Sequence, residues 1–478
     1  MSRLRERPRE WWRGVGSPSV RALLLLILFV GGGLRVAWVA HAGVAPRFGG
    51  DPASYLLLGE TIASGNGYTN PFTEFENVAR RADHQPLIPR QPFSFYPPGY
   101  PVFVAAVVWV VWHTPIPDGD VVRAVGYAQA LLGVLTILMA FALARKVFDT
   151  RIGLVAAAIV ALFPNLITTT ATLQLETFVV AVSLAMLLVL LPSATREDPR
   201  AARLVVGGAL MGAAVLVRPT ILLFLVAFAA ARAALRRPWR ETVSAVAIVL
   251  GAAVAVVAPW TVRNAVALHA FVPVSTNVGS TICPSRNPEA TGGFDTGILE
   301  RQCVPPHATG TPSQQDVAAN TYGTHQAIHW VLAHPLQEVK MWFWRGEISY
   351  ASDSSGLDEF GLSMDRRWAS AAKALSDGAA FVVLGFAAVG IAVARRRRPA
   401  GTFLLVAALA YAAVPIILQG DPRYRVPADP LLVILAAAGL CAALDGARRA
   451  TSTPEPERTI FTRAQDGGES FARHRPFR

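Results

Sequence analysis

Charge is scarce in this chain: Asp, Glu, Lys and Arg fill only 16% of 478 positions, against 53% hydrophobic residues. A soluble globule cannot hide runs as uncharged as Ala22 to Val30 and Val243 to Ala258. Apolar stretches of ~20 residues are what a bilayer core of ~30 Å requires. Also lacking are a Gly-Lys-Ser/Thr phosphate loop and a strand-borne Gly-x-Gly-x-x-Gly, which leaves nothing shaped to grip a nucleotide. Gly31-Gly32-Gly33 sits inside an apolar run and reads as a close-packing helix face. A cleavable leader is missing from the reading as well, because the Ala22 to Ala40 run is too long and has no clear small-residue cleavage site.

What is present is a net charge of +12 carried in short arginine clusters between apolar runs. That distribution follows the positive-inside rule and argues against a nucleic-acid partner. Arg3, Arg5, Arg7, Arg9 and Arg13 hold residues 1–21 in the cytoplasm, so Asp51 emerges on the far side. Val102 to Trp112 is short for a span, and reading it as one would place Arg145, Lys146 and Arg151 outside. It is therefore expected to lie in the interface, within a first external loop over 41–120. The pattern then gives an all-α polytopic bundle of about ten spans: 22–40, 121–144, 152–164, 176–192, 203–217, 220–235, 242–259, 378–394, 401–419 and 428–445. Residues 22–259 form the main membrane core, 260–377 a small external cap, 378–445 the C-terminal spans and 446–478 a disordered cytoplasmic tail.

Asp51, Glu176, Arg218, Arg263, Arg423 and Arg425 all map to the external ends of apolar segments. A charge at the centre of a span costs at least ~2.5–3.5 kcal/mol, and the water boundary lowers that cost. Taken singly, each arginine reads as a snorkelling interfacial charge. Taken together, charges of both signs on one face describe a polar cavity open to the outside.

In their order and side of the membrane these residues resemble the membrane-embedded C-type (GT-C) glycosyltransferases. The similarity is to the family 39 branch that includes protein O-mannosyltransferases and the lipid A aminoarabinose transferase. It is carried by Asp51, Tyr55 and the Gly65-Asn66-Gly67-Tyr68 turn, then Tyr96-Pro97-Pro98-Gly99-Tyr100-Pro101, Phe163-Pro164 and Leu175-Glu176-Thr177. Val217-Arg218-Pro219-Thr220, Pro259 to Asn264, Asn287 to Gly293 and Arg423-Tyr424-Arg425-Val426-Pro427 complete it, from about Ala22 to Asp445.

The resemblance implies transfer of a sugar from a polyprenyl-phosphate donor to a protein, glycolipid or polysaccharide acceptor on the external face, with inversion. Asp51 matches the general base. An exposed carboxylate is a weak base, so the role requires burial or a second carboxylate nearby. Its structural alternative is a helix cap, since Asp51-Pro52 resembles an N-cap followed by an N1 proline. Arg423, with Arg425, Arg218 and Arg263 as further candidates, suits the leaving phosphate because guanidinium forks match phosphate oxygens. Each of the further three is also explained by pairing with Glu176 or Asp421. Glu176 has three readings: orienting the acceptor, coordinating a metal, or pairing with an arginine. Tyr55, Arg90, Tyr96 and Tyr100 are the first-loop residues assigned to substrate contact.

A divalent metal ion stays open, as some relatives use one and others do not. His325 and His329 stand four apart, yet no acidic ligand accompanies them, and Ala327 to Leu332 reads as an amphipathic helix on the membrane. Cys283 and Cys303 fall in the same external segment, where a disulfide would close a loop of ~20 residues worth ~3 kcal/mol. The alternative is two free thiols. Two other functional classes stand beside the enzyme: a lipid-linked-sugar flippase or other transporter, and a non-catalytic assembly partner. Transporters place ionisable groups near the bilayer midplane, whereas these spans are largely free of charge.

Overall fold

The structure, a computed structural model, describes residues 17–44, 50–115, 120–196, 200–236, 238–307, 309–358 and 366–451. The first helix, α1 (Pro18–Ala42), starts where Ser17 Oγ accepts the Val20 amide and Pro18 takes the first helical position. Three shorter helices follow: α2 (Asp51–Ala63), α3 (Pro71–Ala82) and α4 (Gly99–Trp112). They precede α5 (Val121–Val147). At 14 residues α4 is about 21 Å long and falls short of a ~30 Å core.

The next span is broken. Helix α6 (Thr150–Leu162) and the stretch from Pro164 to Ala171, which begins with α7 (Pro164–Thr168), meet at 60°. Phe163 is extended and Pro164 supplies no amide, so carbonyls at the end of α6 lose their helical partners. Arg35 of α1, fully buried, donates to Val160 O and Ala161 O at 3.0 Å each and to Gly31 O at 2.9 Å. A cation inside the bundle is thus spent on backbone groups that the apolar interior leaves unsatisfied.

Beyond it come α8 (Glu176–Thr195), α9 (Ala201–Val215), α10 (Phe224–Ala233) and α11 (Trp239–Leu268). The segment expected to form a cap carries α12 (Val278–Ile282), α13 (Thr296–Ile298), α14 (Pro312–Ala333), α15 (Pro335–Tyr350) and α16 (Ser355–Asp358). Cys283 and Cys303 are joined by a disulfide within it. The chain closes with α17 (Arg366–Arg395), α18 (Ala400–Ala412), α19 (Val414–Ile417) and α20 (Asp429–Thr451). Helices α17 and α20 pack closely because Gly390 lies against the Leu435 carbonyl and Gly439 against that of Phe386, where a Cβ would collide.

Among the described residues seven helical stretches are long and apolar enough to cross a bilayer, and the bent pair at Phe163 makes an eighth. The expected spans at 203–217 and 220–235 correspond to α9 and to Pro219–Ala233. With α9 at 15 residues, about 22 Å, these two are short of a full crossing, so length alone does not support ten. Two boundaries also move. Helix α11 continues past 259 to Leu268 with Pro259 inside it, and α20 stays helical to Thr451, beyond the expected start of the tail at 446. Residues 1–16 and 452–478, expected as the basic N-terminus and the disordered tail, lie outside the described residues.

Candidate active site

At one end of the bundle a cavity of about 500 Å³ opens between the start of α2, the Tyr96-Pro97 turn, the Val217 to Thr220 turn, the cap and the loop after α19. Its floor is assembled by backbone contacts between the two proline-containing turns. The Gly99 amide donates to Leu216 O at 2.8 Å, and a Cβ at Gly99 would press on the same carbonyl. Pro98-Gly99 therefore seats directly on the turn that presents Arg218.

Charged side chains run from the cavity into the protein as one string. Asp51 Oδ1 accepts the Tyr96 hydroxyl at 2.8 Å, and its Oδ2 pairs with Arg423 Nη1 at 3.1 Å. Arg423 Nε faces Glu176 Oε1 at 3.4 Å, and Arg218 Nη2 reaches the same oxygen at 3.3 Å. The Arg218 guanidinium lies 4.8 Å from the centre of the Tyr424 ring. Side-chain exposure falls along the string from 36% at Asp51 to 22% at Arg423 and 1% at Glu176. Asp51 is thus the carboxylate at the cavity, and Glu176 is the buried counter-charge behind it. Glu176 Oε2 and Arg218 Nη1 are buried with no hydrogen-bond partner.

The Asp51 side chain does not act as a helix cap. Gly50 occupies that position, and both Asp51 oxygens are committed to Tyr96 and Arg423. Burial, reinforced by the Asp51 carboxylate, pushes the Tyr96 hydroxyl above the ordinary phenol range. The phenol therefore stays protonated and donates to Asp51. Tyr55 packs against both neighbouring rings, 4.8 Å from Tyr96 and 4.9 Å from Tyr100, and lines the cavity.

Other expected site residues are placed elsewhere. Arg263 donates to Phe93 O and Ser94 Oγ, at 2.8 and 2.9 Å, and to Tyr68 O, and it stacks 4.9 Å from the Trp260 ring. It fastens the first loop to α11 and does not line the cavity. Arg425 is buried between Asp353 and Asp429. Arg90 pairs at the surface with Glu74 at 3.0 Å, and the buried Tyr100 hydroxyl faces Gln129 Oε1 at 3.1 Å. The two arginines of the Arg423-Tyr424-Arg425 turn are thus divided, one toward the cavity and one into the bundle.

The sequence pointed to a cap over 260–377 but did not single out the residues with which it lines the cavity. Asn277, Thr281 and Phe294 line it, with Gln174, Gln419 and Asp421. Asp421 was expected only as an arginine partner, and Gln174, two residues before Glu176, was within reach of motif reading, but the others carry no local signal. Burial pushes the Asp421 carboxyl above the ordinary carboxylate range, against the pull of Arg423. The loop bearing Gln419 and Asp421 is held by a buried ion cluster. Glu338 of α15 accepts from Arg286 at 2.9 Å and from Arg345 at 2.7 and 3.0 Å. Arg286 in turn donates to the Leu418 and Ile417 carbonyls, and Arg345 to Ile416 O at 3.3 Å. Among the described residues no group of three or more His, Cys, Asp or Glu side chains could hold a metal ion. Asp51 and Glu176 both face Arg423, so the carboxylates do not fit a shared metal.

Residues 100–262, about a third of the chain, match the family model described as dolichyl-phosphate-mannose-protein mannosyltransferase. A comparison with curated proteins returns no match. Among solved structures, the apo oligosaccharyltransferase of Archaeoglobus fulgidus superposes with a TM-score of 0.52 at 15% identity, over 91% of this chain and 52% of that one. The same protein tethered to an acceptor peptide containing the NVT sequon gives 0.50 at 16% identity, over 92% and 51%. ArnT from Cupriavidus metallidurans in the apo state gives 0.47 at 17% identity, over 88% and 59%. The chain spans about half the length of the oligosaccharyltransferase it matches. The long apolar helices make the chain a multi-pass membrane protein, and its all-α bundle has a fold similar to that of the archaeal oligosaccharyltransferase.

Proposed function

We propose that the protein is an inverting membrane glycosyltransferase that moves a sugar from a polyprenyl-phosphate donor to an acceptor, with the cavity facing the external, periplasmic side and both termini in the cytoplasm. The observation that carries the reading is the sharing of Arg423 between Asp51 at the cavity and the buried Glu176. Phosphate arriving at the cavity competes with Asp51 for Arg423, while Glu176 keeps the guanidinium in place from behind. Asp51 is then freed from its ion pair and remains oriented by the Tyr96 hydroxyl.

As the acceptor attacks the anomeric carbon, its proton passes to the Asp51 carboxylate. The new bond from acceptor to sugar forms as the bond from sugar to phosphate breaks, and its electron pair leaves on a phosphate oxygen. Arg423 and Arg218 meet the negative charge that develops there. In this reading Arg425 and Arg263 support the turn and the first loop and do not touch phosphate. The short helices α9 and Pro219–Ala233 complete ten crossings where the membrane thins around them.

The test is thermal protection and turnover of the purified protein in nanodiscs. Synthetic polyprenyl phosphates bearing mannose, arabinose, aminoarabinose or galacturonic acid are offered with protein, glycolipid and polysaccharide acceptors. At least one donor is expected to raise the melting temperature of the wild type and not that of Arg423→Ala. Failure of every donor to protect the wild type refutes the proposal.

A further inference from the structure

Two amides on the cavity wall keep hydrogen-bonding capacity that the protein does not use. Gln419 is only 3% exposed, yet its Oε1 has no hydrogen-bond partner among the described residues. A buried amide left unpaired is costly, and nearly all such groups in native proteins find a partner. Its terminal torsion is soft, so this amide can turn either end toward a group in the cavity. Asn277, on the cap, lines the same cavity, and its Oδ1 accepts the Ser275 hydroxyl at 2.7 Å. That bond fixes which way the Asn277 amide is turned, and Nδ2 is the end left to donate.

The main chain beside both amides is clamped. Leu418 O accepts from Ser285 Oγ at 3.0 Å and from Arg286 Nη1 at 2.6 Å, and the Gly420 amide donates to Gly292 O at 2.9 Å. The Asp421 amide is held by Ser349 Oγ at 3.0 Å. Gln419 is thus fixed four residues before Arg423, on the loop that brings Arg423 to the cavity. On the cap side the Thr276 amide donates to Ser94 O at 2.8 Å, which ties Asn277 to the segment that carries Tyr96. Polar groups held by their backbone in this way are preorganised for a ligand. Phe294 also lines the cavity and adds an apolar face.

The chemistry proposed for the site leaves this wall one occupant. In an inverting displacement the acceptor oxygen and the leaving group stand on opposite faces of the anomeric carbon. Asp51 takes the acceptor and the arginines take the phosphate, so the rim of the sugar ring is turned to walls off that line. The cap wall meets it with uncharged amides and an aromatic ring. A sugar hydroxyl both donates and accepts, which matches an amide of either orientation.

We infer that Gln419 and Asn277 are specificity-determining residues that read ring hydroxyls of the donor sugar, with Phe294 against the ring. The inference rests on the glycosyltransferase reading above and assigns sugar selection to the cap and to the loop before Arg423. Such a wall discriminates strongly, because an analogue lacking the matching hydroxyl leaves the amide unpaired again.

The test is ligand binding to the full chain in nanodiscs with three kinds of probe. These are polyprenyl phosphate without sugar, whichever of the mannose, arabinose, aminoarabinose and galacturonic acid donors binds the wild type most tightly, and the monodeoxy forms of that donor. Gln419→Met keeps the length of the side chain and removes its hydrogen bonds. It is expected to bind sugar-free polyprenyl phosphate as the wild type does, to bind the sugar donor at least tenfold more weakly, and to melt no lower than the wild type, since the amide it loses was unpaired. One monodeoxy donor is expected to lose the same factor on the wild type and to bind wild type and variant alike. Asn277→Ala is expected to weaken the sugar donor and not the sugar-free lipid, with a different deoxy position losing its effect. Equal binding of the sugar donor by the wild type and both variants overturns the inference and leaves the arginine assignments standing. A loss shared by sugar-free polyprenyl phosphate, or a lower melting temperature in Gln419→Met, overturns it in favour of a structural role. Failure of every probe to bind the wild type refutes the glycosyltransferase reading, and this inference with it.

Discussion

Replacement of Asp51 by Asn separates base chemistry from structure. Asn keeps one acceptor oxygen for the Tyr96 hydroxyl and sets an amide where Oδ2 now pairs with Arg423 at 3.1 Å. The lost ion pair is more than a third exposed on its carboxylate side, so its contribution to stability is that of a surface pair, ~0.2–1 kcal/mol. At most that is a factor of about 5 in the folding equilibrium. A positioned general base contributes ~10²–10⁴-fold to rate. The two effects differ enough to be told apart in one preparation. Arg423 retains Glu176 at 3.4 Å in the variant and gains freedom from Asp51, so phosphate binding is maintained or strengthened. The expected outcome for Asp51→Asn in nanodiscs is a kcat lower by ~10²–10⁴, a donor KM unchanged or reduced, and a melting temperature within a few degrees of wild type. A kcat within tenfold of wild type would refute the base assignment. A fall in kcat accompanied by a large rise in KM would show that Asp51 holds the cavity together instead.

Arg423→Lys replaces a fork that spans two carboxylates by a point charge, and donor KM is expected to rise at least tenfold, whereas Arg263→Lys lowers thermal stability and leaves donor KM near wild type; steady-state kinetics on both variants check the contrast. Glu338→Gln leaves Arg286 and Arg345 buried without their counter-charge, a loss of ~3–5 kcal/mol in the manner of a broken buried pair, seen as a large drop in melting temperature. Burial pushes the Asp316 carboxyl up to about 6, above its unfolded value of ~3.9. The native state therefore holds this proton more tightly, and the associated stability is complete below about pH 4 and lost as pH rises to about 6. Asp316→Asn is expected to raise the melting temperature above pH 6 and to change nothing at pH 4; a shift at pH 4 would sink the assignment. Reduction of Cys283–Cys303 reopens a loop of ~20 residues and removes ~3 kcal/mol from the cap by chain-entropy reasoning, read as faster hydrogen exchange over 278–303 with the membrane helices unchanged.

The membrane class was written in the sequence because hydrophobic length is a local property, and a bilayer selects for it residue by residue. Of the six charges expected on one face, Asp51, Glu176, Arg218 and Arg423 meet at the cavity, and they were legible for a related reason. An ionisable or prolyl residue at the edge of an apolar run breaks a local pattern, and four such breaks on one side imply a common site. What the sequence could not decide is which of the clustered arginines face one another. Arg423 and Arg425 are two residues apart on one turn, and only the backbone of that turn sends the first to Asp51 and Glu176 and the second to Asp353 and Asp429. Arg263 looked identical to Arg218 as an interfacial cation, yet it faces carbonyls of the first loop more than 160 residues away in sequence. The cap wall of the cavity and the Arg286-Glu338-Arg345 cluster that positions it are likewise products of long-range packing, since none of these residues stands in a motif. The sequence thus determined the solvent in which this chain folds and the residues that break its rules, both being set by local composition. Their pairing was decided by the tertiary structure alone, because a salt bridge is a property of two distant segments and of the fold that brings them to within 4 Å.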